Sequence, residues 1–98
     1  MRYDLQDFIL ELNAIIPELE QELADRRKGI AGDGTVEQLI LFIDEMKKMQ
    51  SMAISNNLPP KVQRHTAFTW YITDSWSHNS QLGNKLCALA DKYKRKLV

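Results

Sequence analysis

Apolar residues recur at helical spacing along the first quarter of the chain. Between Asp4 and Lys28 they fall three or four positions apart, which predicts one amphipathic helix. Pro17 interrupts this pattern, and because a proline removes a backbone hydrogen bond and clashes with the preceding turn, we expect a kink or a break there. Gly29 follows three basic residues and predicts the end of the helix. The apolar stripe consists of Leu5, Phe8, Ile9, Leu12, Ile15, Ile16, Leu19 and Leu23.

A second helical pattern follows the glycine-rich loop at residues 29–34. Thr35 and Gln38 match a capping box, so this helix is predicted to begin at Val36 and to reach about Ile54. Its apolar face is wider than one side of a helix, which predicts either a central position or surface left for a partner. The stripe consists of Val36, Leu39, Ile40, Ile43 and Met46, and Leu41, Phe42 and Met49 widen it.

The segment after Pro60 has two interpretations. In the first, the proline opens a third helix with an apolar stripe. In the second, residues 66–73 form a strand, because β-favouring side chains alternate there. A lone strand would leave its backbone unpaired, so the helix is favoured, and the strand would require pairing with another molecule. The helical stripe would consist of Val62, His65, Thr69, Ile72 and Trp76.

The last helix is predicted to begin after Ser77, Asn79 or Ser80, which are all capping residues, and to end in a basic stretch. Trp76 is expected to turn inward and to anchor this corner. The fold class is therefore all-α, a small antiparallel bundle of about four helices, with the first helix kinked or broken near Pro17. At 98 residues the chain is expected to form a single helical domain over residues 1–98.

The net charge is zero, but the two halves differ in sign. Residues 1–50 carry six basic and eleven acidic side chains, a net charge of −5, and residues 51–98 carry seven basic and two acidic side chains, a net charge of +5. Acidic and basic helices that attract each other within one bundle would explain this difference. A charged docking face is the alternative.

Motifs for catalysis and ligand binding are not recognisable in this sequence. The loop "KGIAGDGT" precedes a helix, but Lys28 stands on the wrong side of the glycines for a phosphate-binding loop, and no strand comes before it. His65 and His78 are 13 positions apart and match no zinc spacing. Asp74, Ser75 and His78 lack the strand–turn–helix context of a nucleophile elbow. We therefore predict no enzyme activity, no cofactor and no metal.

The cellular compartment is predicted to be the cytoplasm. Cys87 is the only cysteine, so no internal disulfide forms. Acidic residues interrupt the first apolar stretch, unlike a signal peptide, and no apolar run has the roughly 18–20 residues of a membrane helix. We expect no membrane span.

Protein–protein binding is the predicted function. The apolar face of the second helix, its evenly spaced methionines, and the Trp- and Tyr-rich segment all resemble interface composition. Docking onto a protein partner and self-association are both open. The alternative is a nucleic-acid-associated regulator that uses the basic C-terminal half, which the pI near 6.7 disfavours. The candidate partner-binding residues are Phe42, Met49, Met52, Trp70, Tyr71 and His78.

A small helical bundle with an acidic first helix resembles the bacteriocin-type immunity proteins. The resemblance concerns the overall fold, because no motif is shared. It implies an accessory or inhibitor-like role of the kind found among bacterial and phage proteins.

Overall fold

Helices make up most of the chain in the computed structural model, which describes residues 2–97. No strand occurs in that range, so the all-α prediction is confirmed. A 3-10 turn lies between the second and third helices, and the fourth helix continues into a π-helical turn. The elements are α1 (Leu5–Arg27), α2 (Val36–Ile54), the 3-10 turn (Lys61–Gln63), α3 (Phe68–Ser75), α4 (Gln81–Asp91) and the π-helical turn (Lys92–Lys96).

The first two helices pack antiparallel and share the most extensive interface in the described chain. The side chain of Gln50 donates a hydrogen bond of 2.6 Å to Asn13. Further along α1, Glu20 faces Lys47, which precedes Gln50 on α2. Because the contacts advance on one helix while they retreat on the other, the two helices run in opposite directions.

The other two helices complete an up-down-up-down bundle. α4 runs antiparallel to α1, because Glu11 pairs with Lys92 and Glu18 pairs with Lys85. α3 is short and lies against α2, again antiparallel. The described part of the molecule measures 39 × 24 × 23 Å.

The first helix passes through Pro17 without a break, so the predicted break does not occur, while the predicted kink stays a prediction. Pro17 is exposed, whereas Ile16 and Leu19 on either side of it are buried. A proline inside a helix costs about 3 kcal/mol, while each buried aliphatic side chain contributes roughly 1.5–3 kcal/mol. The packing of one continuous apolar stripe against α2 and α4 therefore outweighs the defect.

The third helix begins at Phe68 and not near Pro60. Its first predicted positions, Val62 and His65, are both exposed and belong to no helical stripe. The helix was nevertheless the right interpretation for the aromatic run, and the strand alternative was wrong. The stretch before it takes another course because the buried side chain of Arg64 ties it to the π-helical turn and to Leu97.

One core joins all four helices. Trp76 turns inward as predicted and is 6% exposed. The largest fully buried side chains come from every helix and from the end of the chain. They are Phe8, Phe42, Phe68, Leu12, Leu19, Leu39, Met46, Leu86, Leu89 and Leu97.

A candidate recognition face on the third helix

The third helix is held in place by a carboxylate from its neighbour. Ala67 precedes the helix and has no side chain that could cap it, so the Glu45 side chain on α2 takes that role. It accepts hydrogen bonds from the backbone N–H groups of Ala67 at 3.0 Å and Phe68 at 3.1 Å. A negative charge at a helix N-terminus is favourable, so this contact fixes the position of α3 on α2.

Aromatic rings fix the inner side of the same helix. Phe42 lies at the centre of this cluster, with its ring centroid 6.1 Å from Phe68, 6.0 Å from Tyr71 and 5.5 Å from Trp76. The indole N–H of Trp76 donates a hydrogen bond of 3.2 Å to the Gln38 side chain. Aromatic pairs at these separations contribute beyond their buried area. The inner side of α3 therefore packs against α2 from its first residue, Phe68, to Trp76 at its end.

Trp70 lies on the outer side of α3, opposite the side that packs against α2. It is 73% exposed, whereas Phe68 and Ile72 on the inner side are buried. Asp74, one turn further along the same outer side, is also exposed. Tryptophan is enriched at the energetic centres of protein interfaces, so its exposure makes this side of α3 a candidate contact surface. We call the outer side of α3, formed by Trp70, Thr73 and Asp74, the α3 face.

Two predicted partner-binding residues are not available at the surface. Phe42 is fully buried and Met49 is 4% exposed. The sequence pattern placed them on an apolar face of α2 that was too wide for one neighbour, but α1 and α3 both pack against that helix. Their contacts are made inside the molecule, which corrects the prediction that they meet a partner.

The other four predicted residues lie at the surface to different degrees. Trp70 and His78 are exposed, while Met52 and Tyr71 are half-buried. Trp70 and Tyr71 share α3, His78 lies in the corner after it, and Met52 is near the far end of α2. The structure therefore brings only part of the predicted set together on one element.

The glycine-rich loop holds a cation of the chain itself. The Arg26 guanidinium donates hydrogen bonds to the carbonyls of Asp33 at 2.8 Å, Gly34 at 3.2 Å and Ile30 at 3.3 Å. It also pairs with Glu22 at 3.0 Å. Because loop carbonyls converge on the guanidinium, this loop is arranged around a positive group and not around a phosphate.

The corner between α3 and α4, "TDSWSHNS", is built from caps and backbone contacts. Asp33 accepts a hydrogen bond of 3.1 Å from the Ser77 backbone N–H. Ser80 caps α4 by accepting a bond of 2.9 Å from the Gly83 backbone N–H. The Ser75 hydroxyl donates to the Tyr71 carbonyl one turn earlier. Most of the polar side chains that make this stretch unusual thus have structural partners.

Burial is the largest cause of the raised pKa values of Tyr3, Cys87 and Tyr93, which all lie outside the α3 face. Burial raises the pKa of the Cys87 thiol, which keeps it protonated and unreactive at neutral pH. Burial also raises the pKa of Tyr93, although the nearby Arg64 lowers it in part. Among residues 2–97, no three His, Cys, Asp or Glu side chains lie close enough to hold a metal ion. No helix in the same range has the length and apolar character to cross a bilayer.

Two structurally important residues, Glu45 and Arg64, were not recognised in the sequence. Both act on elements at least 22 positions away along the chain, and no local pattern indicates such partners. Comparison of the chain with protein-family models, with curated proteins and with solved structures gave no match.

Proposed function

We propose that this chain is a non-enzymatic helical protein that acts by binding a protein partner, in an accessory or regulatory role. The α3 face is its contact surface. The exposure of Trp70 on a rigid helix is the observation that carries this proposal.

Rigidity at this face favours binding. Because Glu45 and Phe42 hold α3 from within, ordering of the backbone would cost little when a partner arrives. Tryptophan is among the residues most often found at the energetic centre of interfaces, where truncation to alanine costs about 2 kcal/mol or more. Asp74 and the exposed His78 supply polar groups for the rim of such an interface.

An inhibitor-like or immunity-like role is the specific form we favour. An acidic surface suits a partner that is itself basic. The acidic side chains of α1 and the α3 face are available for such a partner in different degrees. Four of those on α1 already pair with basic residues of the same chain, namely Glu11, Glu18, Glu20 and Glu22. The acidic side chains that form no ion pair therefore lie mainly elsewhere in residues 1–50.

Substitution of Trp70 tests this proposal directly. Trp70→Ala removes an exposed side chain, so stability should change by no more than about 0.5 kcal/mol. Wild-type protein immobilised in a lysate of the source cells should retain a specific protein, and purified partner should bind Trp70→Ala about thirtyfold more weakly, the equivalent of about 2 kcal/mol. Ile30→Ala, an exposed position in the α1–α2 loop, is the control and should bind normally.

Self-association is tested by the same variants. Light scattering across a concentration series should show a dimer that Trp70→Ala dissociates if the partner is a second copy. A partner or dimer that Trp70→Ala retains at full affinity would exclude the α3 face as the contact surface.

A further inference from the structure

The basic residues of the second half, apart from Lys85, gather at one end of the bundle. The Lys61 ammonium in the 3-10 turn donates a hydrogen bond of 3.2 Å to the Arg95 carbonyl at the end of the π-helical turn. Arg2, which precedes α1, lines a groove of about 490 Å³ together with Lys92 and Lys96. Three separate segments thus meet here. We call this region the basic end, formed by Arg2, Lys61, Lys92, Lys94, Arg95 and Lys96.

The basic end keeps a net positive charge after its acidic neighbours are counted, because six cations stand against Asp4, Asp7, Glu11 and Asp91. Lys92 pairs with Glu11 at 2.9 Å and Arg95 pairs with Asp91 at 3.1 Å. The other four basic side chains make no ion pair within residues 2–97. The nearby acids Asp4 and Asp7 cap α1, where each accepts a backbone hydrogen bond from the other residue and keeps its negative charge. Asp7 and Glu11 also line the groove that holds Arg2.

A buried arginine removes the negative end of the last helix from this surface. Arg64 is 9% exposed and donates to the carbonyls of Tyr93 at 2.8 Å and Leu97 at 2.9 Å. Its guanidinium also lies over the Tyr93 ring, 5.1 Å from the centroid. Carbonyls at a helix C-terminus would otherwise repel an anion. Capping them with a cation leaves the surface positive.

Arg64 also holds the turn that carries the exposed side chain of Val62. Arg64 donates a further bond of 2.9 Å to the Pro59 carbonyl, so it ties both ends of the short 3-10 turn to the end of α4. Val62 lies in the middle of that turn and is 88% exposed. Leu10, which lines the groove beside Arg2, is exposed as well. Val62 therefore projects from a turn that Arg64 holds in place, next to the unpaired Lys61.

We propose that the basic end docks onto the surface of a membrane that contains anionic lipids. Each lysine or arginine near such a surface contributes about 1 kcal/mol, and an apolar side chain beside the cations gains by entering the boundary between headgroups and acyl chains. A phosphate backbone would engage the cations but would leave Val62 in water. The position of Val62 is why a lipid surface is favoured over a nucleic acid.

Vesicle sedimentation tests this proposal. The protein should sediment with phosphatidylcholine vesicles only when phosphatidylserine is included, and added salt should release it. Val62→Gln should weaken binding about fivefold, as expected for partial burial of a valine side chain. Arg2→Gln with Lys96→Gln should weaken it about thirtyfold, because two cations are lost.

Matched variants at the opposite end of the bundle provide the controls. Ile30→Gln removes an exposed apolar side chain there, and Arg27→Gln with Lys28→Gln removes two exposed cations. Both should sediment like wild type, as should Trp70→Ala, since the α3 face is not involved. Circular dichroism checks that every variant is folded.

Two results would overturn the proposal. The first is wild-type protein that stays in the supernatant with phosphatidylserine vesicles at low salt. The second is binding that Val62→Gln leaves unchanged while a DNA duplex competes for it, because the basic end would then be a general surface for polyanions.

Discussion

Trp76 restricts which residues can occupy two other positions. A Cβ atom on Gly34 would lie 2.7 Å from its ring, and a Cβ atom on Gly83 would lie 3.2 Å from it. Its indole N–H also bonds to Gln38 on α2. The Trp76 side chain therefore connects the α1–α2 loop, α2 and α4, and it requires small residues at positions 34 and 83.

Substitution of two glycines by alanine separates this contact from backbone strain. Gly34 and Gly29 have φ values of +87° and +84°, so alanine at either position costs about 1–2 kcal/mol in the left-handed conformation. Only Gly34 faces Trp76, while Gly29 faces open space. Urea unfolding should show Gly34→Ala to be less stable than Gly29→Ala by about 1–3 kcal/mol, the range for overpacking. Equal losses would mean that Trp76 moves aside freely.

Tyr3 makes stability fall at alkaline pH. Burial raises its pKa well above the ordinary value of 10.0, and the negative charges of Glu11 and Asp7 add to the effect. Above pH 10 the unfolded chain loses this proton while the folded chain keeps it, so the free energy of unfolding decreases as pH rises. Below that pH both states are protonated and the effect vanishes.

Replacement of Tyr3 by phenylalanine tests this dependence. The Tyr3 hydroxyl is buried near the Glu11 carboxylate without a well-formed hydrogen bond to the described residues, so Tyr3→Phe should be neutral or slightly stabilising at pH 7. Above the ordinary tyrosine pKa, its melting temperature should fall less steeply than that of wild type. Parallel melting curves for the two proteins at all alkaline pH values would contradict the assigned pKa shift.

α3 differs from the other helices in the source of its stability. With 8 residues it is too short to be stable in isolation. α1 and α2 carry their own caps at Asp4 and Thr35, within the local sequence. α3 instead depends on the Glu45 carboxylate and on rings that pack against Phe42.

Removal of the Glu45 cap should loosen α3 in particular. Glu45→Ala is expected to cost about 0.5–2 kcal/mol, the range for lost caps. Hydrogen exchange should accelerate at the α3 amides more than at those of α1. Thr35→Ala, with an expected cost of about 1 kcal/mol, is the control and should act at the start of α2. Unchanged exchange in α3 after Glu45→Ala would show that ring packing alone holds the helix.

Some charged side chains of the two halves form ion pairs across the bundle. Lys85 and Lys92 on the last helical segment reach Glu18 and Glu11 on α1 at 3.0 and 2.9 Å. These pairs support the explanation that oppositely charged helices attract each other within the molecule. Their side chains are all at least one-third exposed, however, and exposed pairs contribute little.

A double-mutant cycle measures the contribution of the ion pair between Glu18 and Lys85. Glu18→Gln, Lys85→Met and the combined variant should give a coupling energy between 0 and about 1 kcal/mol at low salt. Half-molar salt should reduce it further, because surface charges are screened. A coupling of several kcal/mol that salt leaves unchanged would show that the charge difference between the halves holds the bundle together.

The sequence by itself determined the helical class, the apolar stripe of α1 and the cap at Thr35, and it limited the cap of α4 to three candidates, of which Ser80 takes the role. Each of these depends on residues three or four positions apart, and that spacing is visible in the chain. The inward orientation of Trp76 also followed, because a small domain has few large side chains with which to fill its core.

Tertiary structure decided everything that depends on distant partners. α1 continues through Pro17 because two neighbouring helices cover its apolar stripe. Phe42 is buried because α3 lies over it. Arg64 holds Val62 outward by bonds to carbonyls about thirty positions away. Long-range contacts of this kind leave no periodic trace in a single sequence, and so the exposure of Trp70 and Val62, on which both proposed surfaces depend, emerged only from the folded chain.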